Sequence, residues 1–258
     1  MATWSSRRKL LIGGGLFLVI LIVIGVIFFS IFYKAPTCFD RVMNGGELGI
    51  DCGGNCELLC QSTFLSAKIA WGGGKFEKVA PSLYNVAAYI LNPNTDAAAV
   101  RVPYKFMLFD NKGLLITEKE GRIDLPAHRN TLVFEPALNV GQRIPTKVTF
   151  EFTAPPVWFE SYDALEGLAI GEKKYSEDET SSSLEVSLEN KTFNPMKDIT
   201  VGVVLYDIDG NAIGFSRTKI DELPPQGGKD IAPFTWPIGR DGKVVSVEAL
   251  PVTVPQRK

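Results

Sequence analysis

The sequence predicts a mainly β protein: two tandem Ig-like β-sandwich domains after one N-terminal transmembrane helix. Three observations carry that prediction. An uncharged run of 24 residues, Leu10 to Tyr33, lies near the start of the 258-residue chain. Beyond it, short stretches of β-favouring residues sit between turn signals, and no extended 3.6-residue apolar pattern follows. A block of sequence also returns after 97 residues, about the length of one Ig-type sandwich.

The apolar run comes first. At about 1.5 Å per residue it reaches roughly 36 Å as a helix, against a hydrocarbon core of roughly 30 Å, so it can cross with some tilt. Gly13, Gly14, Gly15 and Gly25 are tolerated in membrane helices, and Trp4 and Tyr33 flank the run as interfacial aromatics do. Arg7, Arg8 and Lys9 precede it, so the positive-inside rule puts residues 1–9 in the cytoplasm and everything after Lys34 outside. A cleaved signal peptide has a shorter apolar region of roughly 7–15 residues ending in small side chains. This run instead ends in Phe28-Phe29-Ser30-Ile31-Phe32-Tyr33, and Ala35-Pro36-Thr37 before Cys38 does not resemble a lipobox. The expected location is a single-pass cell-membrane protein with its C-terminal domains extracytoplasmic.

The charge balance narrows the partners. Residues 1–34 hold four basic residues, Arg7, Arg8, Lys9 and Lys34, and no acid; the remainder holds 23 basic and 29 acidic residues. A mildly acidic body argues against nucleic acid, which requires clustered positive charge.

All four cysteines, Cys38, Cys52, Cys56 and Cys60, fall within 23 residues. An even cluster in an extracytoplasmic segment predicts disulfides, with three pairings open. Zinc is the rival, but zinc sites favour C-x2-C, and the intervals here are 13, 3 and 3 residues. Asp40, Asn44, Glu47 and Asp51 lie inside the first interval, among Gly45, Gly46 and Gly49. They are candidate calcium ligands, since calcium takes oxygens from carboxylates, amides and wrapped backbone. A solvated, glycine-rich turn explains the same spacing.

The stretch Cys38-Phe-Asp40-Arg-Val-Met-Asn44-Gly-Gly-Glu47-Leu-Gly-Ile-Asp51-Cys52-Gly53-Gly54-Asn-Cys56 resembles a short module of bacterial surface and envelope proteins, C-x-D-G-x-x-N-x-x-E-x-x-x-D-C-G-G-x-C. Arg41 departs from it, standing where the pattern has glycine. The resemblance implies a disulfide-stapled connector over residues 36–62 that can carry calcium and has no catalytic activity.

The rest of the chain repeats. Phe106-Met-Leu108-Phe109-Asp110-Asn-Lys112-Gly113 matches Val203-Val-Leu205-Tyr206-Asp207-Ile-Asp209-Gly210, 97 residues on. Ile123-Asp124 matches Ile220-Asp221 at the same offset, and Val148-Thr-Phe150 matches Val245-Ser-Val247; between them Leu125-Pro126 matches Leu223-Pro224 after one inserted residue. Strands are expected at 84–91, 100–109, 114–123, 131–134 and 147–152, then at 184–189, 199–206, 212–220, 231–236 and 244–250. Ala154-Pro155-Pro156 reads as a stiff linker, giving domains at 63–154 and 157–258. Asp207-Ile-Asp209-Gly210 opens like a calcium loop, but Lys112 in the first copy and Thr218 at the closing position argue instead for a hairpin turn with left-handed glycine. The Leu-Phe/Tyr-Asp-x-x-Gly core followed by a strand and Leu-Pro is similar to FxLYD-type domains. That resemblance implies a surface or envelope β-sandwich without known chemistry.

No catalytic constellation stands out. His128 is the chain's single histidine, in the turn Pro126-Ala-His128-Arg-Asn130, and no nucleophile motif accompanies it. Glu118 and Glu120 could form a carboxylate pair, though alternate charges on a strand's outer face explain them. Gly72-Gly73-Gly74 lacks the G-K-[ST] of a phosphate loop, and Asn190-Lys191-Thr192 is a glycosylation sequon. The expected function is non-enzymatic: a membrane-anchored structural or protein-binding module. Its partners are the bilayer, through 10–33, and a protein, with no nucleic acid and no small-molecule substrate. The alternative is an accessory subunit of an envelope machine for secretion, pilus assembly or transport; a hydrolase is a third reading.

Overall fold

The structure is a computed structural model and describes residues 4–33, 35–237 and 242–258. Lys34, one of the four N-terminal basic residues, lies outside the described residues, as do Ile238–Asp241. The chain divides into two compact units, Met1–Cys56 and Glu57–Lys258.

The first unit opens with helix α1, Trp4–Phe32. Its 21-residue stretch Ile12–Phe32 is long and apolar enough to cross a membrane, and none of it is buried by protein. An apolar surface presented all round the helix needs a non-aqueous neighbour. A stapled loop closes the unit. Cys38 and Cys56 form a disulfide, Cys52 and Cys60 are also disulfide-bonded, and no cysteine is free. Gly54, at φ 61°, crosses directly over the Gly46 carbonyl, and any Cβ there would run into that oxygen.

The second unit is antiparallel β throughout its described strands. These are β1 Lys68–Ile69, β2 Lys75–Ala80, β3 Leu83–Leu91, β4 Ala97–Phe109, β5 Leu115–Leu125, β6 Thr131–Asn139, β7 Lys147–Phe152 and β8 Trp158–Glu160. There follow β9 Leu168–Glu177, β10 Ser181–Asn190, β11 Met196–Tyr206, β12 Ala212–Leu223, β13 Gly228–Pro237 and β14 Ser246–Val252. In the first sandwich β3 is flanked by β6 on one side and by β1 and β2 on the other, while β4 is flanked by β5 and by β7 with β8. In the second, β10 lies between β9 and β13, and β11 between β12 and β14. Each sandwich thus sets one sheet centred on its second long strand against one centred on its third.

Alternation explains the cores. Along β4, Val102, Tyr104, Phe106 and Leu108 turn inward and are at most 3% exposed; they meet Val86, Ala88 and Ile90 of β3 and Val148 and Phe150 of β7. Along β11, Ile199, Val201, Val203 and Leu205 do the same against Leu184, Val186 and Leu188 of β10.

The domain boundary differs from the one expected at Ala154-Pro155-Pro156. Strand β8 lies beyond those prolines yet pairs with Ala97–Ala99 of β4, and Trp158 belongs to the first core. Leu165 belongs to the second core, so the chain changes sandwich between Glu160 and Leu165. The prolines end β7 without separating the domains.

The two sandwiches also share an apolar seam. Ala87 and Tyr89 of β3 and Leu132 and Phe134 of β6 pack against Val204 of β11, Phe215 of β12 and Leu250 of β14. Gly202 of β11 permits the approach: a Cβ there would lie 2.8 Å from that of Leu132. Four sheets therefore stack face to face in one compact unit.

Candidate functional site

The stapled loop gathers the residues singled out as calcium ligands, and main-chain N–H groups engage each acid. Asp40 accepts from Thr37 N at 3.3 Å, Val42 N at 2.9 Å and Asn44 Nδ2 at 2.9 Å. Asp51 accepts Arg41 N–H on both oxygens at 3.1 Å. Glu47, 8% exposed, accepts from Asn44 N at 3.3 Å and Asp51 N at 3.2 Å. Asn44 Oδ1 is buried without a donor. Arg41 takes the glycine place of the pattern at φ 63° and engages Asp51 through its main chain.

Among the described residues, one trio of potential metal ligands converges within 4.8 Å: Cys38, Glu47 and Cys56. The two sulfurs are joined to each other, so they offer no thiolate. Asp40, Glu47 and Asp51 do not form such a trio.

His128 lies on the rim of a cavity of about 290 Å³ with Asp96, Ser161, Asp163, Glu166 and Lys258. Ser161 is fully buried, and its hydroxyl donates to the Gln256 carbonyl. His128 is exposed at φ 62°, and its main-chain N–H donates to Asn94 O at 2.9 Å. Asp163 is held by Arg129, whose Nε and Nη2 reach its two oxygens at 2.6 and 2.8 Å. Arg129 also donates to Leu165 O at 2.8 Å and Pro251 O at 3.5 Å. This half-buried guanidinium ties the turn after β5 to the segment that enters the second sandwich.

A second polar group pins the seam. Tyr89 donates to Glu248 Oε1 at 2.7 Å and Tyr206 to Oε2 at 2.9 Å, while Asn130 Nδ2 donates to Tyr89 Oη at 3.2 Å. Burial first, then the Glu248 carboxylate, raises the pKa of both phenols well above the ordinary tyrosine value and keeps them as donors. Tyr104 is raised in the same way by burial and then by Glu135, which accepts its hydroxyl at 2.6 Å.

The remaining candidate residues have structural partners. Glu118 and Glu120 flank Lys105 at 3.7 and 3.5 Å on the outer face of the β5–β4 pair. Gly113 and Gly210 sit at φ 75° and 77° in the two hairpin turns, as the left-handed reading requires. The sequon asparagine Asn190 is fully buried, and its amide bridges Asn194 O and Leu223 O at 2.8 and 3.2 Å. A glycan cannot be attached to it in the folded protein. Asn92 is its counterpart in the first sandwich, bridging Ala97 O and Pro126 O at 3.0 and 2.7 Å.

Arg129–Asp163 and the Tyr89–Glu248–Tyr206 group escaped sequence reasoning. Neither has a motif, since each forms only when segments distant in sequence meet.

No family model matches the chain, and no curated protein matches it. Among solved structures, a β-glucuronidase from glycoside hydrolase family 2 is 12% identical, covering 86% of this chain and 29% of its own, with a TM-score of 0.21. A Bacteroides uniformis β-glucuronidase is 14% identical, covering 69% of this chain and 22% of its own, with a TM-score of 0.19. The tandem CBM22-1-CBM22-2 domain of Paenibacillus barcinonensis Xyn10C is 8% identical, covering 75% and 86%, with a TM-score of 0.15. The chain spans less than a third of the two glucuronidases, and superpositions this poor carry no functional inference.

Proposed function

We propose that this is a non-enzymatic membrane protein. Helix α1 is its anchor, and its tandem sandwiches lie outside the cytoplasm as a structural or protein-binding module. The observation that carries the reading is the order of two features along the chain. The apolar helical stretch Ile12–Phe32, uncovered by protein and preceded in sequence by Arg7-Arg8-Lys9, leads into a fully disulfide-bonded segment. The positive flank points residues 1–9 to the cytoplasm, and disulfides persist on the oxidising side, so two independent rules agree on one topology. The likeness to FxLYD-type domains belongs to this same reading.

Protease added to intact spheroplasts tests it. Digestion of everything beyond Tyr33, leaving a small membrane-embedded fragment, is the expected outcome. Full protection, together with a C-terminal reporter active only in the cytoplasm, would overturn the topology.

A further inference from the structure

The stapled loop keeps its polar side chains inside and its apolar ones outside. From Phe39 to Ile50, Glu47 is buried and Asp40 and Asn44 are half-buried. The exposed residues of that stretch are two glycines, Arg41 and five large apolar residues, Phe39, Val42, Met43, Leu48 and Ile50. Each of the five is at least 55% exposed. Exposed apolar side chains scattered singly are ordinary. Here Arg41 is the one exposed polar side chain among them.

The loop's own bonds bring the two apolar runs together. Glu47 Oε2 accepts the N–H of Asn44, which follows Met43, and that of Asp51, which follows Ile50, at 3.3 and 3.2 Å. Asp51 in turn takes the Arg41 N–H on both oxygens at 3.1 Å, and the Cys38–Cys56 disulfide closes the same turn. A segment this short is held by its staples and N–H bonds rather than by a core, so its apolar side chains are left for another surface.

The chain sets that surface beside the bilayer. The hydrogen bonding of α1 runs on to Tyr33, whose N–H donates to Phe29 O at 2.8 Å. Phe39 stands six residues further along, and six residues reach at most about 20 Å fully extended. With α1 across the membrane, the loop is confined to the headgroup layer or just above it. Such a tether keeps lipid at a high effective concentration around the loop.

We propose that the apolar exterior of the stapled loop inserts into the interfacial layer of the bilayer, with the Arg41 guanidinium at the lipid phosphates. Apolar side chains interleaved with a cation suit that layer, where the hydrocarbon is buried and the charged head stays among phosphates and water. The inference rests on the reading of α1 as a membrane anchor and deepens it: the loop is a second membrane contact directly after the helix. A protein partner is the competing occupant. The short tether favours lipid, because the bilayer is always within reach and a partner has to be recruited.

The full chain reconstituted into phosphatidylcholine vesicles tests this, with a tryptophan introduced by F39W or L48W and read against the wild type's own four. Both positions are exposed, and each variant is used with its disulfides intact, verified by resistance to alkylation without reductant. Flotation with the vesicles comes first: a chain that does not float overturns the anchor reading and this proposal with it. In floated protein, the emission each variant adds should be shifted to the blue and lost when the lipids carry bromine just below the headgroup. Added emission that stays unshifted and unquenched in floated protein overturns the insertion alone and leaves the loop's exterior to a protein partner. L48S/I50S combined with F39W should reduce the bromine-dependent loss. An undiminished loss would also sink the proposal, since the tether rather than the apolar exterior would then be what brings position 39 to lipid.

Discussion

Arg41 shows how a single backbone conformation links sequence to local structure. At φ 63° it adopts the left-handed turn that glycine would take without steric cost, and that turn aims its N–H at Asp51. Arg41→Gly should relieve the strain but give the unfolded chain more freedom. The first effect is about 1–2 kcal/mol and the second about 0.4–1 kcal/mol, so a net gain of about 0.5–1 kcal/mol is expected. Urea titrations followed at the loop amides check it, and a loss of stability would show that the guanidinium itself matters. The same titrations examine the expectation that Asp40, Asn44, Glu47 and Asp51 bind calcium, which comes from their spacing among glycines and from the module they resemble. Millimolar calcium should stabilise the loop; unchanged curves would leave its acids to their N–H bonds alone. The proximity of these residues was legible in their spacing. Their hydrogen-bond roles were not, because backbone N–H groups leave no trace in sequence. Asn190 carries the opposite lesson: a short motif suggested modification, while burial turned the same amide into a bridge between two carbonyls.

The two hairpin turns use one set of bonds 97 residues apart. Asp110 Oδ1 accepts the N–H groups of Lys112 and Leu114 at 2.9 Å, and Asp207 Oδ1 accepts those of Asp209 and Asn211 at 3.0 and 2.8 Å. Both carboxyls are held below the usual aspartate range. For Asp110 the Arg143 guanidinium acts first, then the Leu114 N–H; for Asp207 the Asn211 side chain acts first, then its N–H. A folded pKa below the unfolded value of about 3.9 means the stabilisation is complete above about pH 4. It is lost as pH falls through the depressed folded value. Unfolding midpoints measured from neutral to acid pH should therefore drop more steeply below about pH 4 in the wild type than in D110N/D207N. Parallel curves would show that these turns do not contribute. Most strands were readable at this scale because one face of each is apolar. Strand β9 was not, since Gly171, Glu172, Lys173 and Lys174 leave both faces of that sheet edge exposed. Strand β8, three residues behind two prolines, was lost in the expected linker.

The packing of sandwich on sandwich was present in the sequence as a difference between aligned positions. The outer face of the first sandwich carries Lys105, Met107 and Glu118; 97 residues on stand Gly202, Val204 and Phe215. In the first set Lys105 and Glu118 form a salt bridge, while in the second Val204 and Phe215 are buried in the seam and Gly202 lies against Leu132. Matching the copies for likeness revealed the fold and hid this exchange of charge for apolar surface. Phe215→Glu places the aligned residue of the first sandwich into the second, so it tests the seam without asking either sheet to hold an alien pattern. Truncating or replacing a buried phenylalanine removes about 3–5 kcal/mol, and here the loss falls on the contact with Leu132 and Phe134 rather than on either core. The wild type should unfold in one transition, and F215E should unfold in two, with the strand signal of both sandwiches retained before the first. A single transition at a lowered midpoint would mean that the second sandwich itself had failed, so an independent lever is needed. Tyr89 and Tyr206 provide it. Their folded pKa values are raised by burial and then by Glu248, so the stability they contribute is complete below about pH 10 and is lost as pH climbs through the raised folded values. Alkaline titration should separate the sandwiches as tyrosinate absorbance appears, and Glu248→Gln should alter the pH at which this happens. Tyrosinate forming with no change in the seam's amide protection would show that the apolar contacts hold the sandwiches together without the phenols.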